Sequence, residues 1–298
     1  MSVFRFLIIL FSFLSFGLQA QQESFQALYP FLGTVINPGK SGQNGLELGA
    51  MVRRKPIFKN FGGQVNQQFL SLDMPIKGQE LGMGMGIYIS NLNQSFGYIN
   101  GGISSNFSMG MSFSKSFHLG KGMDISGGIN YSINQFPFLS SNGKAAVRSS
   151  IGLGLDFKWE NFELEWSSPT NLLSNSINAN FSSINYLRAN YEFPKNEFGQ
   201  LKMGLARVNK YGLGGKFDLL LDYSLLNEWS FGLYYLGSGG DIFKNSFYSV
   251  LKYEVGKKIL LGYGFDWGSM SGKGFSPRQN SGSGAPSGFH QLFIQVRP

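Results

Sequence analysis

From Phe107 to Ser114 the chain reads Phe-Ser-Met-Gly-Met-Ser-Phe-Ser, with every odd position apolar and every even one Ser or Gly. Successive side chains of an extended strand leave opposite faces, so this segment is apolar on one side and small and polar on the other. A strand standing between lipid and a polar lumen must have that division. The two-residue period, cut by turns, recurs from Gly45 to the C-terminus. It predicts strands near 45–53, 65–74, 81–90, 101–117, 121–135, 146–159, 161–168, 180–194, 198–208, 211–223, 226–236, 246–256, 257–267 and 288–296. That is about fourteen, an even number, as bacterial single-chain membrane barrels have. In the last of them Leu292, Ile294 and Val296 fall on the lipid side. The expected fold is all-β, a transmembrane antiparallel β-barrel over 45–298.

The N-terminus agrees with export. One positive charge, Arg5, precedes an apolar stretch from Phe6 to Phe16, and Gly17-Leu18-Gln19-Ala20 follows. This is a signal-peptide layout over 1–20 with cleavage after Ala20. The apolar core is too short for a spanning helix, which takes about 20 residues. Residues 21–44 hold Tyr29-Pro30, Asn37-Pro38-Gly39 and Ser41-Gly42. They are too turn-rich for a strand, so they form a segment that is plug-like in the lumen or lies at the periplasmic mouth.

Composition fits a barrel wall. Aromatic residues make up 15% and charged ones 14%, where a soluble domain carries about 25% charged. Aromatic side chains suit interfacial girdles, and lipid-facing positions exclude charge. A soluble β-sandwich or lipocalin-like barrel would not account for the strand number, the leader and the low charge together. The net charge of +8 comes from Lys and Arg scattered at turns and one cluster, Arg53-Arg54-Lys55. Solvated turns or anionic lipid headgroups account for them without a nucleic-acid partner. With no Cys there is no disulfide framework and no lipid-modified N-terminal cysteine.

Connection lengths test the strand pattern. If the N-terminus is periplasmic, links after odd strands should be long and external, and links after even strands short. The links near 54–64, 91–100, 136–145, 168–179, 237–245 and 268–287 are long. Those at Pro75–Gln79, His118–Gly120, Glu160, Pro194–Glu197, Asn227 and Gly256 are short. Only the link at Asn209-Lys210 breaks the rule, being tight where a loop is expected. Both termini then lie in the periplasm.

Catalytic and metal chemistry find little to stand on. The two histidines, His118 and His290, are far apart, and neither has a His, Cys, Asp or Glu at metal-ligand spacing. Gly82-Met-Gly84-Met-Gly86 lacks the Lys and Ser/Thr of a phosphate loop and runs into a strand, Ile87-Tyr88-Ile89, so it reads as small residues alternating with Met on a wall. Asp124, Asp156, Asp218, Asp222 and Asp266 lie in or near strands. Where they point inward, Arg148, Arg188 or Arg207 are the expected partners. No catalytic residue, cofactor or metal is expected, and the chain is not expected to be an enzyme.

One stretch carries a resemblance. Phe25-Gln26, Tyr29-Pro30 and Ile36-Asn37-Pro38-Gly39-Lys40-Ser41-Gly42 are followed by Arg53-Arg54, then Leu70-Ser71-Leu72-Asp73-Met74-Pro75-Ile76, then Leu81-Gly82-Met83-Gly84-Met85-Gly86. In order and spacing this resembles the PorP/SprF family, outer-membrane proteins of the type IX secretion system of Bacteroidetes, over roughly 22–135. The family's Gln-Trp after the first strand is missing, since Lys55-Pro56-Ile57-Phe58 stands there, and its Ala-Tyr-Ala is Gly39-Lys40-Ser41. The resemblance implies a non-enzymatic role: export or tethering of cargo proteins with a C-terminal sorting domain, gliding adhesins among them, and association with periplasmic lipoprotein components of the machine. It carries over no partner-contacting residues. Asn37, Pro38, Asp73 and Pro75 read as turn formers. A transport channel for hydrophobic or small solutes is the alternative function that a barrel with an N-terminal insert allows.

Overall fold

The computed structural model describes residues 33–58, 63–76, 82–95, 103–136, 146–172, 184–210, 214–225, 228–237, 246–256, 258–269 and 290–297. The predicted leader, Phe25-Gln26 and Tyr29-Pro30 lie outside them, as do the predicted loops 136–145 and 268–287 apart from Phe136, Gly268 and Ser269, which are strand. A single helical turn, α1 (Gly33–Ile36), and a 3₁₀ turn, Pro38–Lys40, precede fourteen strands. These are β1 (Glu47–Phe58), β2 (Gly63–Pro75), β3 (Met83–Ser95), β4 (Ile103–Gly120), β5 (Met123–Phe136), β6 (Ala146–Trp159) and β7 (Phe162–Leu172). The second half adds β8 (Ile184–Glu192), β9 (Gly199–Lys210), β10 (Gly214–Leu225), β11 (Trp229–Leu236), β12 (Ser246–Val255), β13 (Ile259–Ser269) and β14 (His290–Val296). Every strand pairs antiparallel with its sequence neighbours, and β14 pairs with β1, so the sheet closes into a barrel with no free edge. Closure satisfies backbone groups that lipid cannot.

All fourteen predicted strands are present. The wall follows the two-residue period that predicted them: Phe107, Met109, Met111 and Phe113 are exposed to the outside, while Ser112 and Ser114 are buried within. On β14, Leu292 and Ile294 are exposed as expected. Outward Trp159 and Trp229 sit at the short-turn end, Trp229 against Tyr253 with ring centroids 4.4 Å apart. At the opposite end Tyr235 packs on Phe247. Amphipathic rings at two levels mark where an apolar band meets headgroups.

The first expected loop is a correction. Link 54–64 shrinks to 59–62, because β1 and β2 run on past Arg53-Arg54-Lys55 with a register irregularity between Pro56 and Phe58. Charge does not stop a strand whose inner face meets polar groups: Arg53 is buried inside, while Arg54 is exposed outside. The basic cluster is therefore strand, not turn. The short link after β9 holds, with only 211–213 between Lys210 and Gly214. At the other end β4 and β5 are joined by Lys121-Gly122, both at positive φ (51° and 71°). That mirror-image turn matches the strand twist, and Gly tolerates it at no steric cost.

Candidate functional site

The interior is organised around residues 33–46, which lie against the inner wall toward the short-turn end. Asn37 caps the 3₁₀ turn, its Oδ1 accepting from Gly39 N at 3.0 Å, while its Nδ2 donates to Leu155 O on β6 at 2.9 Å. Ser41 and Ser112 hydroxyls are 2.5 Å apart, and Ser114 Oγ donates to Ser41 O. Gly42 N donates to Asp73 Oδ1 at 2.6 Å. Gln43 Nε2 reaches Ser126 Oγ on β5, and Lys158 Nζ donates to Gln43 Oε1 at 3.2 Å. Residues 37–43 are thus bound by three successive strands, β4 to β6, plus β2. Asp73 is more than the turn former expected from sequence: it is an acceptor for this segment.

The glycines of the wall are explained by the same seating. A Cβ on Gly84 would come within 1.9 Å of Ser41 O, one on Gly128 within 2.2 Å of Pro38 O, and one on Gly154 within 2.0 Å of Asn37 Oδ1. No side chain fits there, so the alternation of Gly with Met in β3 records a second chain segment lying on the wall. An alternating strand needs only something small at these positions, so the sequence pattern did not distinguish a crowded lumen from an occupied one.

Below the glycine track lies a charged cluster that the sequence reading missed. Lys40 Nζ is 2.7 Å from Glu163 Oε1, 2.7 Å from Glu165 Oε1 and 4.0 Å from Asp156 Oδ1, with the carboxylates largely buried. Lys158 lies 3.5 Å from Asp156, and Arg188 donates from Nε to Glu165 at 2.8 Å. Asn190 and Lys202 complete the ring on Glu163. The three acids bring oxygens within 4.8 Å of one another, a set able to hold a divalent cation. The Lys40 ammonium already stands among them, and Lys40, Lys158, Arg188 and Lys202 set four positive charges against these three acids and Glu192, which Lys202 meets at 3.0 Å. Glu163 and Glu165 two apart on one strand must share a face, which is the signal that could have found them.

Of the predicted inward pairs, Asp156 faces the lumen but takes Lys40 and Lys158. Asp222 takes Lys252 at 2.9 Å and Tyr234 at 2.7 Å. Asp218 accepts from Gly237 N, and Arg188 pairs with Glu165. Arg207 is a correction: it faces outward, over the Phe217 ring at 5.7 Å. The side chains of Arg148 and Asp266 lie outside the described residues. His118 is a further correction, since β4–β5 pairing brings Asp124 Oδ1 to 2.6 Å from its Nδ1 at an exposed position. His290 Nδ1 lies 2.6 Å from the Tyr263 hydroxyl.

On the loop side of the seated segment lies a buried apolar layer, and beyond it Arg53, Gln67, Ser90 and Gln291 are buried. Val35 of α1 packs with Met51, Phe69, Tyr88, Leu220, Tyr234, Tyr248, Val250 and Phe293, and Ile36 with Tyr186 and Val208. Burying Val35 and Ile36 stabilises the seated segment by about 1.5–3 kcal/mol each. On the short-turn side a polar cavity of about 610 Å³ opens beside Lys40, lined by Arg188, Lys202, Asp222, Lys252 and Arg297 among others.

The model of the type IX secretion system membrane protein PorP/SprF family matches residues 18–295. The chain belongs to this family. The PorP/SprF match covers the N-terminal segment and the wall that holds it, so a component of the type IX secretion system in the outer membrane is the setting for both. The outer membrane protein Omp33 of Acinetobacter baumannii is similar in fold at 9% identity, with 85% of this chain and 98% of that chain covered and a TM-score of 0.50. A KdgM porin (8% identity, 85% and 99% covered) and a Rhodopseudomonas blastica porin variant (9%, 84% and 98%) stand at TM-scores of 0.39, too distant to add to this. A comparison with curated proteins gave no match.

Proposed function

We propose that this PorP/SprF protein is a non-enzymatic docking component of the type IX system, exported by residues 1–20 as a cleaved signal peptide. In this reading the short-turn end and both termini face the periplasm and engage the translocon and its lipoprotein components. The loop end then faces outward and binds, or helps export and tether, cargo with a C-terminal sorting domain. The observation that carries the reading is the seated N-terminal segment. A wall built with glycines to receive its own chain, and an apolar layer closing over α1, suit a platform rather than an open conduit.

Pull-down from detergent-solubilised outer membrane tests it: the translocon and one sorting-domain cargo should co-purify. Deletion of the gene should leave that cargo unexported or unattached, and normal surface display of every such cargo would overturn the proposal. A transport channel would instead show steady conductance in planar bilayers or solute uptake lost on deletion. Because the chain has no Cys, single cysteines placed at Lys121 or Lys210 and labelled on intact cells report orientation directly. Labelling at Lys210 alone is expected.

A further inference from the structure

The lipid-facing wall is uneven across the closing seam. β14 is the shortest strand, and outward from it a groove of about 470 Å³ runs between Val52, Leu292 and Ile294 on one side and Leu251 and Trp229 on the other. Its floor is low at Ala50, which carries only a methyl there; Leu261 and Tyr263 stand outward from β13 along it, and Gly262 between them faces the lumen, where the Phe293 ring packs against it. Register puts Arg54, His290 and Phe265 side by side on three adjacent strands, one outward row closer to the loop end than Val52 and Leu292. Arg54 and His290 are both exposed on the outer face. The Tyr263 hydroxyl contacts His290 Nδ1, and when it donates there the imidazole carries its proton on Nε2, a donor on the outer face.

An Arg on the outside of a barrel is tolerated near the interface and costs about 2–4 kcal/mol at the midplane. The Arg54 row therefore marks headgroup level. The four residues from Arg54 back to Ala50 span about 13 Å of strand, so the upper part of the groove lies within the acyl region beneath a cation and an N–H donor, while Trp229 marks its lower end at the short-turn interface. An annular lipid needs neither a cleft nor a paired donor set. We propose that the β1–β14–β13 seam binds one phosphorylated acyl lipid, its phosphate on Arg54 and His290 and one acyl chain in the groove. This rests on the outward orientation of the loop end, which makes the lipid a lipid A of the outer leaflet.

The test is titration of the purified full-length barrel in detergent with bis-phosphorylated lipid A, read by native mass spectrometry. Detergent has no sidedness, so the result is independent of the cysteine labelling that decides orientation. One tightly held lipid A per barrel is expected. Arg54→Gln with His290→Gln should weaken it roughly tenfold, as loss of charged hydrogen bonds does. Ala50→Phe, which fills the groove, should weaken it similarly, with the folded-barrel gel mobility of both variants unchanged. Three outcomes overturn the proposal: equal binding by the double variant, equal binding of dephosphorylated lipid A, or phosphatidylglycerol preferred over lipid A.

Discussion

Lys40 is the charge that reaches all three buried carboxylates, each of which also meets Lys158, Arg188 or Lys202. Removing one partner of a buried ion pair typically costs about 3–5 kcal/mol because the remaining charges lose compensation. Lys40→Met should therefore release residues 33–46 from the wall, read as new protease cleavage in that segment while the barrel stays intact. Arg at the same position is expected to do poorly, since a planar fork does not reproduce an ammonium among three acceptors. Gly154→Ala tests the seating by shape instead of charge. Its Cβ would meet Asn37 Oδ1 at 2.0 Å, so the segment should again be cleaved, whereas Gly127→Ala, whose Cβ would stand 3.5 Å from Leu155, should behave as the parent chain. If both glycine variants resist protease equally, the track does not hold the segment.

Strands respond according to which face is changed. Met111→Arg on the lipid face of β4 should cost about 2–4 kcal/mol near the midplane, seen as a lower temperature for loss of folded gel mobility. Ser112→Ala one residue on removes only a hydroxyl shared with Ser41 and should cost about 1 kcal/mol. The same face rule explains why the strands were readable: lipid forces alternation on every outward position, and the turns interrupt it. Boundaries slipped where the rule is silent, as at Lys55–Phe58, because near the loop end charge is compatible with strand. The seated segment was legible only as a turn-rich insert. Asn37 and Asp73 looked like turn residues because their partners, Leu155 and Gly42, are distant in sequence, and no local pattern announces a pairing across 118 residues or 31.

At the scale of the molecule, deletion of 33–46 should convert a barrel of low conductance into one with steady single-channel steps, since the segment fills part of the lumen and carries Val35 and Ile36 into its apolar layer. Unchanged conductance would mean that the wall's own side chains suffice to close it. The order of parts along the chain has a consequence for how the protein is made. The piece that ends up inside is translated first, its receptor on β2 to β7 follows without interruption, and the seam between β1 and β14 is sealed by the last residues. The hairpins can therefore gather on the segment as on a mandrel before the cylinder shuts, and a chain that lost its grip on the mandrel would have to be corked afterwards, through a mouth already crowded with charge. Pulse-labelled assembly of Gly84→Val, whose side chain forbids the early contact with Ser41, should thus show slow maturation of the whole barrel, not merely a loose end within a finished one.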